Sequence, residues 1–151
     1  MTAPNSIPRE YEWQDLHVGM SASFRVTVTE EALAQFLALS GDNNPLHTDR
    51  KFAQGRGFRD RVSYGMLTAS FYSTLVGVYL PGRNCLLQGV NISFMSPVFP
   101  QTELEVAGSI TYMNEACRQL EISALITVPG VGTVSKAKIR AGLTSTAEAA
   151  R

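Results

Sequence analysis

From Val62 to Gly82 the chain runs for 21 residues without a formal charge. Ser63, Thr68, Ser70, Ser73 and Thr74 interrupt the stretch and Pro81-Gly82 closes it. It is too polar to cross a membrane and reads as a buried helix. The part from Gly65 to Leu80 is long enough for about four turns. Its apolar residues (Met66, Leu67, Ala69, Phe71, Leu75, Val76, Val78, Tyr79) surround the whole cylinder. A helix apolar on every side has to be wrapped by something larger.

The rest of the chain supplies the wrapping. Ser23 to Thr29 alternates, with Phe24, Val26 and Val28 on one face. After the uncharged stretch, four further segments alternate in the same way. Val90, Ile92 and Phe94 oppose Asn91 and Ser93; Leu104, Val106, Gly108, Ile110 and Tyr112 oppose Glu103 and Glu105. Leu120, Ile122, Ala124, Ile126 and Val128 follow, then Ala137, Ile139, Ala141 and Leu143 against Lys136, Lys138 and Arg140. Period-two strands joined by short turns predict an antiparallel sheet with one buried face. The economical solution is α+β: a sheet curled around one long central helix. The 151 residues suit a single domain, with a core over about 15–143. The segments 1 to about 8 and Thr144 to Arg151 read as loose ends.

Charge and cysteine content narrow the partners. Thirteen basic and 13 acidic residues give a formal net charge of +0. Such a chain lacks the global positive field of a non-specific nucleic-acid binder. Cys85 and Cys117 cannot form a disulfide framework and have no metal-ligand spacing to a second Cys or His. The first residues carry no basic segment followed by an apolar run, so no secretory signal is read there. These features together predict a cytoplasmic chain with reduced thiols.

Thr29 is placed to cap a helix whose first turn carries Glu30 and Glu31, and Gly41 to end it. Asp42 to Tyr64 then shows neither period, which predicts a functional excursion or a short hidden helix. Within it stands Ser40-Gly41-Asp42-Asn43-Asn44-Pro45-Leu46-His47-Thr48-Asp49. This run resembles the S-G-D-x-N-P-L-H-x-D motif of the MaoC-like, (R)-specific enoyl-CoA hydratase family of hot-dog-fold proteins. Gly65-Met66-Leu67, Ala69 to Ser73, Leu80-Pro81-Gly82 and the FMSPVF segment from Phe94 to Phe99 continue the resemblance in register. It covers roughly residues 15 to 143. Tyr64 stands where the family usually has His.

The resemblance implies a hot-dog fold and reversible hydration of a trans-2-enoyl thioester to the (R)-3-hydroxyacyl thioester, without metal or organic cofactor. It implies Asp42 and His47 as the base and acid pair, Gly65 as donor to the thioester oxygen, and Ser73 as an orienting hydroxyl. Asn44, Tyr64, Met66, Tyr72 and Arg61 are the candidate substrate-binding residues. It also implies a homodimer or higher homo-oligomer, with coenzyme A or an acyl-carrier protein bearing the acyl group.

The chemistry suits these residue types. Hydration needs a water deprotonated and aimed at C3, a proton for C2, and donors for the charge on the thioester oxygen. A carboxylate and an imidazole can share one water and handle both protons. A glycine opening a helix offers an unsatisfied N–H and room for close approach. Plainer readings stand beside each role. Asp42 to Pro45 could be an Asx-turn loop, His47 a structural histidine, and Ser73 a hydroxyl bonded to its own backbone. Asp49 could brace the loop, and His17 reads as structural or exposed. Arg50, Lys51, Arg56, Arg59 and Arg61 could be a solvated loop or a cationic rim for phosphates. As alternatives, the same fold also hosts acyl-CoA thioesterases and could serve as a non-catalytic acyl-binding module.

Overall fold

Alternation at Ser21–Val28 makes β1, whose Phe24, Val26 and Val28 are buried. The computed structural model describes residues 6–145. Thr29 caps the next helix, α1 (Glu30–Ser40), by accepting from the Ala32 N–H at 3.1 Å. Gly41 ends it in the left-handed conformation, φ 71°, where a side chain would be strained. The aperiodic segment holds two short helices, α2 (Pro45–Thr48) and α3 (Arg50–Gly55). The central helix α4 (Gly65–Thr74) continues as a wider π-helical turn over Leu75–Tyr79.

The strands β2 (Cys85–Phe94), β3 (Thr102–Asn114), β4 (Gln119–Val128) and β5 (Gly132–Leu143) complete the fold. All five strands form one antiparallel sheet in the order β1-β3-β4-β5-β2. The inner face contributes Leu104, Ile110, Leu120, Ile122, Ile126 and Ile139, all essentially inaccessible. Leu75 and Val76 of the central helix meet them. Gly108 lies beneath that contact. A Cβ there would stand 2.7 Å from Leu75 Cδ2, so the missing side chain is what lets the helix settle on β3.

Three expectations change in the structure. The helix is not wrapped on all sides: Met66, Ser70 and Ser73 are exposed along one face. Tyr112 continues the apolar alternation in sequence yet is 50% exposed. A register shift between Ile110 and Tyr112 turns it outward, as one extra residue flips every following side chain. Thr144 is not loose, since its N–H and hydroxyl both donate to the Asn84 carbonyl. The other loose-end expectations on 1–5 and 146–151 lie outside the described residues. No helix among the described residues is long and apolar enough to cross a membrane.

Candidate active site

A relay of small polar caps builds the loop after α1. Ser40 Oγ donates to the Phe36 carbonyl (2.7 Å) and accepts from the Asp42 N–H (3.2 Å). Asp42 Oδ1 accepts from the Asn44 N–H (3.2 Å), and Asn44 Oδ1 from the Leu46 N–H (3.0 Å). Pro45 opens α2, where its missing donor and fixed φ suit the first helical position. Asp49 caps α3 through the Phe52 N–H at 3.1 Å, so it braces the loop. His47 is thereby carried on α2, facing back toward Asp42.

The His47 ring is held at Nδ1 and faces Asp42 with Nε2. Nδ1 lies 2.6 Å from the Val62 carbonyl oxygen. Only a protonated nitrogen makes that contact, so in the neutral ring the carbonyl holds the proton on Nδ1 and the lone pair falls on Nε2. Nε2 lies 4.0 Å from Asp42 Oδ2. That is too long for a direct hydrogen bond and fits one bridging water. The Asp42 side chain is 47% exposed and that of His47 only 15%, so water reaches the pair from the carboxylate side.

Tyr64 backs this arrangement. It is 2% exposed, its ring tilted against His47 at 4.3 Å and against Phe36 at 4.8 Å. Its hydroxyl donates to the Asp42 backbone carbonyl at 3.0 Å. Burial, and then the Asp42 charge, hold its phenol above the ordinary value. Gly65 follows as the first residue of α4 and has no intrahelical acceptor for its N–H. The helix dipole favours developing negative charge there.

A cavity of about 350 Å³ brings His47 and Gly65 together, walled by Ser63, Thr68, Phe94 and Ser135 among others. A larger groove, about 560 Å³, crosses the outer face of the sheet beside Lys138 and Arg140, away from the motif residues. His47 and Gly65 line the smaller cavity, and Asp42 reaches it only through His47.

The other sequence candidates lie elsewhere. Asn44 uses its side chain as the α2 cap. Arg61 grips the Glu30 carboxylate with Nη2 at 2.6 and 2.7 Å. Tyr72 is buried in the core and donates to Ser135 Oγ at 2.9 Å. Met66 and Ser73 stand on the uncovered face of α4. None of these five lines the cavity. Four members of the basic cluster have partners within the protein. Arg50 pairs with Asp60, while Arg56 and Arg59 lie over the Phe52 and Phe99 rings. Asp60 is held below its ordinary value by hydrogen bonds from Arg50 and from the Arg61 N–H.

His17 is exposed, and so is Cys117; burial pushes the Cys85 thiol up to about 11. Among the described residues no group of three or more His, Cys, Asp or Glu is placed to hold a metal ion. The motif reading missed Ser63, Thr68 and Ser135. Their signal, a hydroxyl at a position that must be buried, is faint without the register.

Comparisons with known proteins agree with this geometry. A family model described as the MaoC-like domain matches residues 16–128. The (R)-specific enoyl-CoA hydratase of Aeromonas caviae is 38% identical over 102 residues, covering 68% of this chain and 76% of that protein. That of Rhodospirillum rubrum is 36% identical over 86 residues, covering 57% of this chain and 60% of that protein. The solved (R)-hydratase from A. caviae superposes with a TM-score of 0.83 at 32% identity, over 87% of this chain and 99% of that one. With the sheet, the central helix and the Asp42–His47 loop all in place, the chain belongs to the MaoC-like domain family and has its hot-dog fold.

Proposed function

We propose that this chain is an (R)-specific hydro-lyase. It adds water across a trans-2-enoyl-CoA to give the 3-hydroxyacyl-CoA, and runs in reverse as a dehydratase. One observation carries the reading: the His47 imidazole Nε2 and the Asp42 carboxylate stand 4.0 Å apart, and His47 shares a cavity with Gly65, the first residue of the central helix. The names of the similar hydratases support it.

The chemistry follows from that placement. A water between the pair gives one proton to His47 Nε2, while Asp42 accepts a hydrogen bond from the other. The water oxygen bonds to C3 as the C2–C3 π electrons shift toward the thioester carbonyl. Gly65 N–H donates to that oxygen as it gains charge; losing such a donor typically costs about 2.7–4 kcal/mol. The imidazolium then returns its proton to C2, which closes the balance with one water added. The Nδ1–H to Val62 bond keeps Nε2 aimed throughout.

The carrier is coenzyme A, with an acyl-carrier protein as the other thioester that this site admits. We place the protein in the cytoplasm, in fatty-acid metabolism, as a homodimer. The exposed α4 face with Ser73 and the unpaired edge of β2 support the dimer. A screen of enoyl-CoAs with chiral analysis of product tests the activity. Asp42→Asn and His47→Gln are each expected to lower the hydration of crotonyl-CoA by about 10²- to 10⁴-fold. Unchanged rates in both would sink the mechanism. Release of free thiol with no hydroxyacyl product would make the chain a thioesterase.

A further inference from the structure

Three polar residues are buried among the described residues: Ser63, Thr68 and Ser135, each no more than 3% exposed. All three line the one cavity that holds His47 and Gly65. A core polar residue normally finds a partner. Thr68 does, donating to the Gly65 carbonyl at 2.8 Å. Ser135 accepts from Tyr72, but no acceptor takes its own proton. Ser63 Oγ has no partner in either role, alone among the buried side-chain polar atoms described. The backbone at Ser63 is pinned, since its N–H donates to the Val98 carbonyl at 2.7 Å.

We propose that this cavity takes a short acyl chain that itself carries an uncharged oxygen, read by the hydroxyls of Ser63 and Ser135. The inference rests on the hydratase reading and names its substrate class. A plain alkyl chain would leave the buried Ser63 Oγ without a partner and the Ser135 proton without an acceptor, which is the costly outcome for a buried polar group. A substrate hydroxyl or keto oxygen answers them, because serine both donates and accepts. No Lys or Arg lines the cavity, so a carboxylate substituent is not matched. The volume, about 350 Å³, lies near the low end of roughly 300–1,000 Å³ for small-molecule sites. Ser63 is two residues before Gly65. The recognised oxygen therefore lies within a few carbons of the reacting double bond.

The test uses the full chain and trans-2-hexenoyl-CoAs bearing a hydroxyl at C4, C5 or C6. Each is assayed against the analogue with methyl in place of that hydroxyl, and crotonyl-CoA serves as reference. The expected result is a kcat/KM ratio of about tenfold or more in favour of one hydroxyl compound over its methyl partner. Ser63→Ala is expected to bring that ratio to within about threefold, whatever it does to either rate. A wild-type protein that hydrates methyl compounds as well as every hydroxyl partner overturns the inference and leaves the hydratase reading standing. So does a ratio unmoved by Ser63→Ala and by Ser135→Ala. Failure to hydrate any of the compounds, crotonyl-CoA included, overturns the hydratase reading itself.

Discussion

Tyr64 does two jobs with one side chain: its ring lies against His47, and its hydroxyl holds the Asp42 carbonyl. It is a positioning residue, acting on both members of the pair without facing the cavity. Tyr64→Phe keeps the ring and removes the hydrogen bond, worth about 0.5–1.5 kcal/mol. The expected result is a two- to tenfold fall in kcat with KM nearly unchanged, and recovery in Tyr64→His, which restores a polar ring. A matched fall in kcat and thermal stability, unrescued by His, would reduce Tyr64 to a packing residue. The titration has a defined sign. Folding raises the phenol pKa above 10.0. Its stabilising contribution is therefore complete below about pH 10 and is lost as pH rises through the folded value. Denaturant titrations of wild type and Tyr64→Phe across that range read the difference. At this scale the sequence speaks clearly only where the partners are close in the chain. Asp42 and His47 are five apart in one capped loop, and both were legible. Arg61 was legible as a charge but not as a pair, because Glu30 lies on α1. Ser63 and Ser135 come to one cavity only through the fold, so the unpaired hydroxyl of Ser63 could not be read in advance.

The central helix and the sheet meet at Gly108, where the packing leaves no room for a side chain. Gly108→Val would drive methyl groups into Leu75 and Ile122, both nearly inaccessible. The expected cost is about 1–3 kcal/mol, the usual range for overpacking a closed core. A thermal melt followed by circular dichroism measures it, and an unchanged Tm would show that the helix rides more loosely than the contact implies. The strands were legible from their alternation because one face is buried and the other wet. The shift at Ile110 and Tyr112 was not, because a single extra residue changes direction without changing composition. The uncovered side of α4 escaped for a related reason. Met66, Ser70 and Ser73 sit among residues that are buried, and a helix apolar all round does not say what covers each side.

The whole molecule carries two open surfaces. Strand β2 is an edge of the sheet, bonded only to β5. Its Leu86, Leu87, Val90 and Phe94 are 40–54% exposed, an arrangement that isolated edge strands ordinarily avoid. The other edge, β1, buries its apolar residues and pairs Arg25 with Glu103 and Glu105. The first residue of α4 lies beside β2; a Cβ at Gly65 would stand 3.3 Å from the Phe94 ring. A second copy that pairs β2 with β2 would satisfy the edge and cover its exposed apolar side chains, all by one two-fold operation. The formal net charge of +0 sets no long-range repulsion against it. Light scattering is therefore expected to give twice the 16.4 kDa of one chain. Leu87→Asp with Val90→Lys, which puts charges on the edge, is expected to give the single-chain mass and to lose hydration while keeping the circular dichroism of the fold. A wild-type protein that turns over fully at the mass of one chain would show that the edge is covered by something other than a second copy.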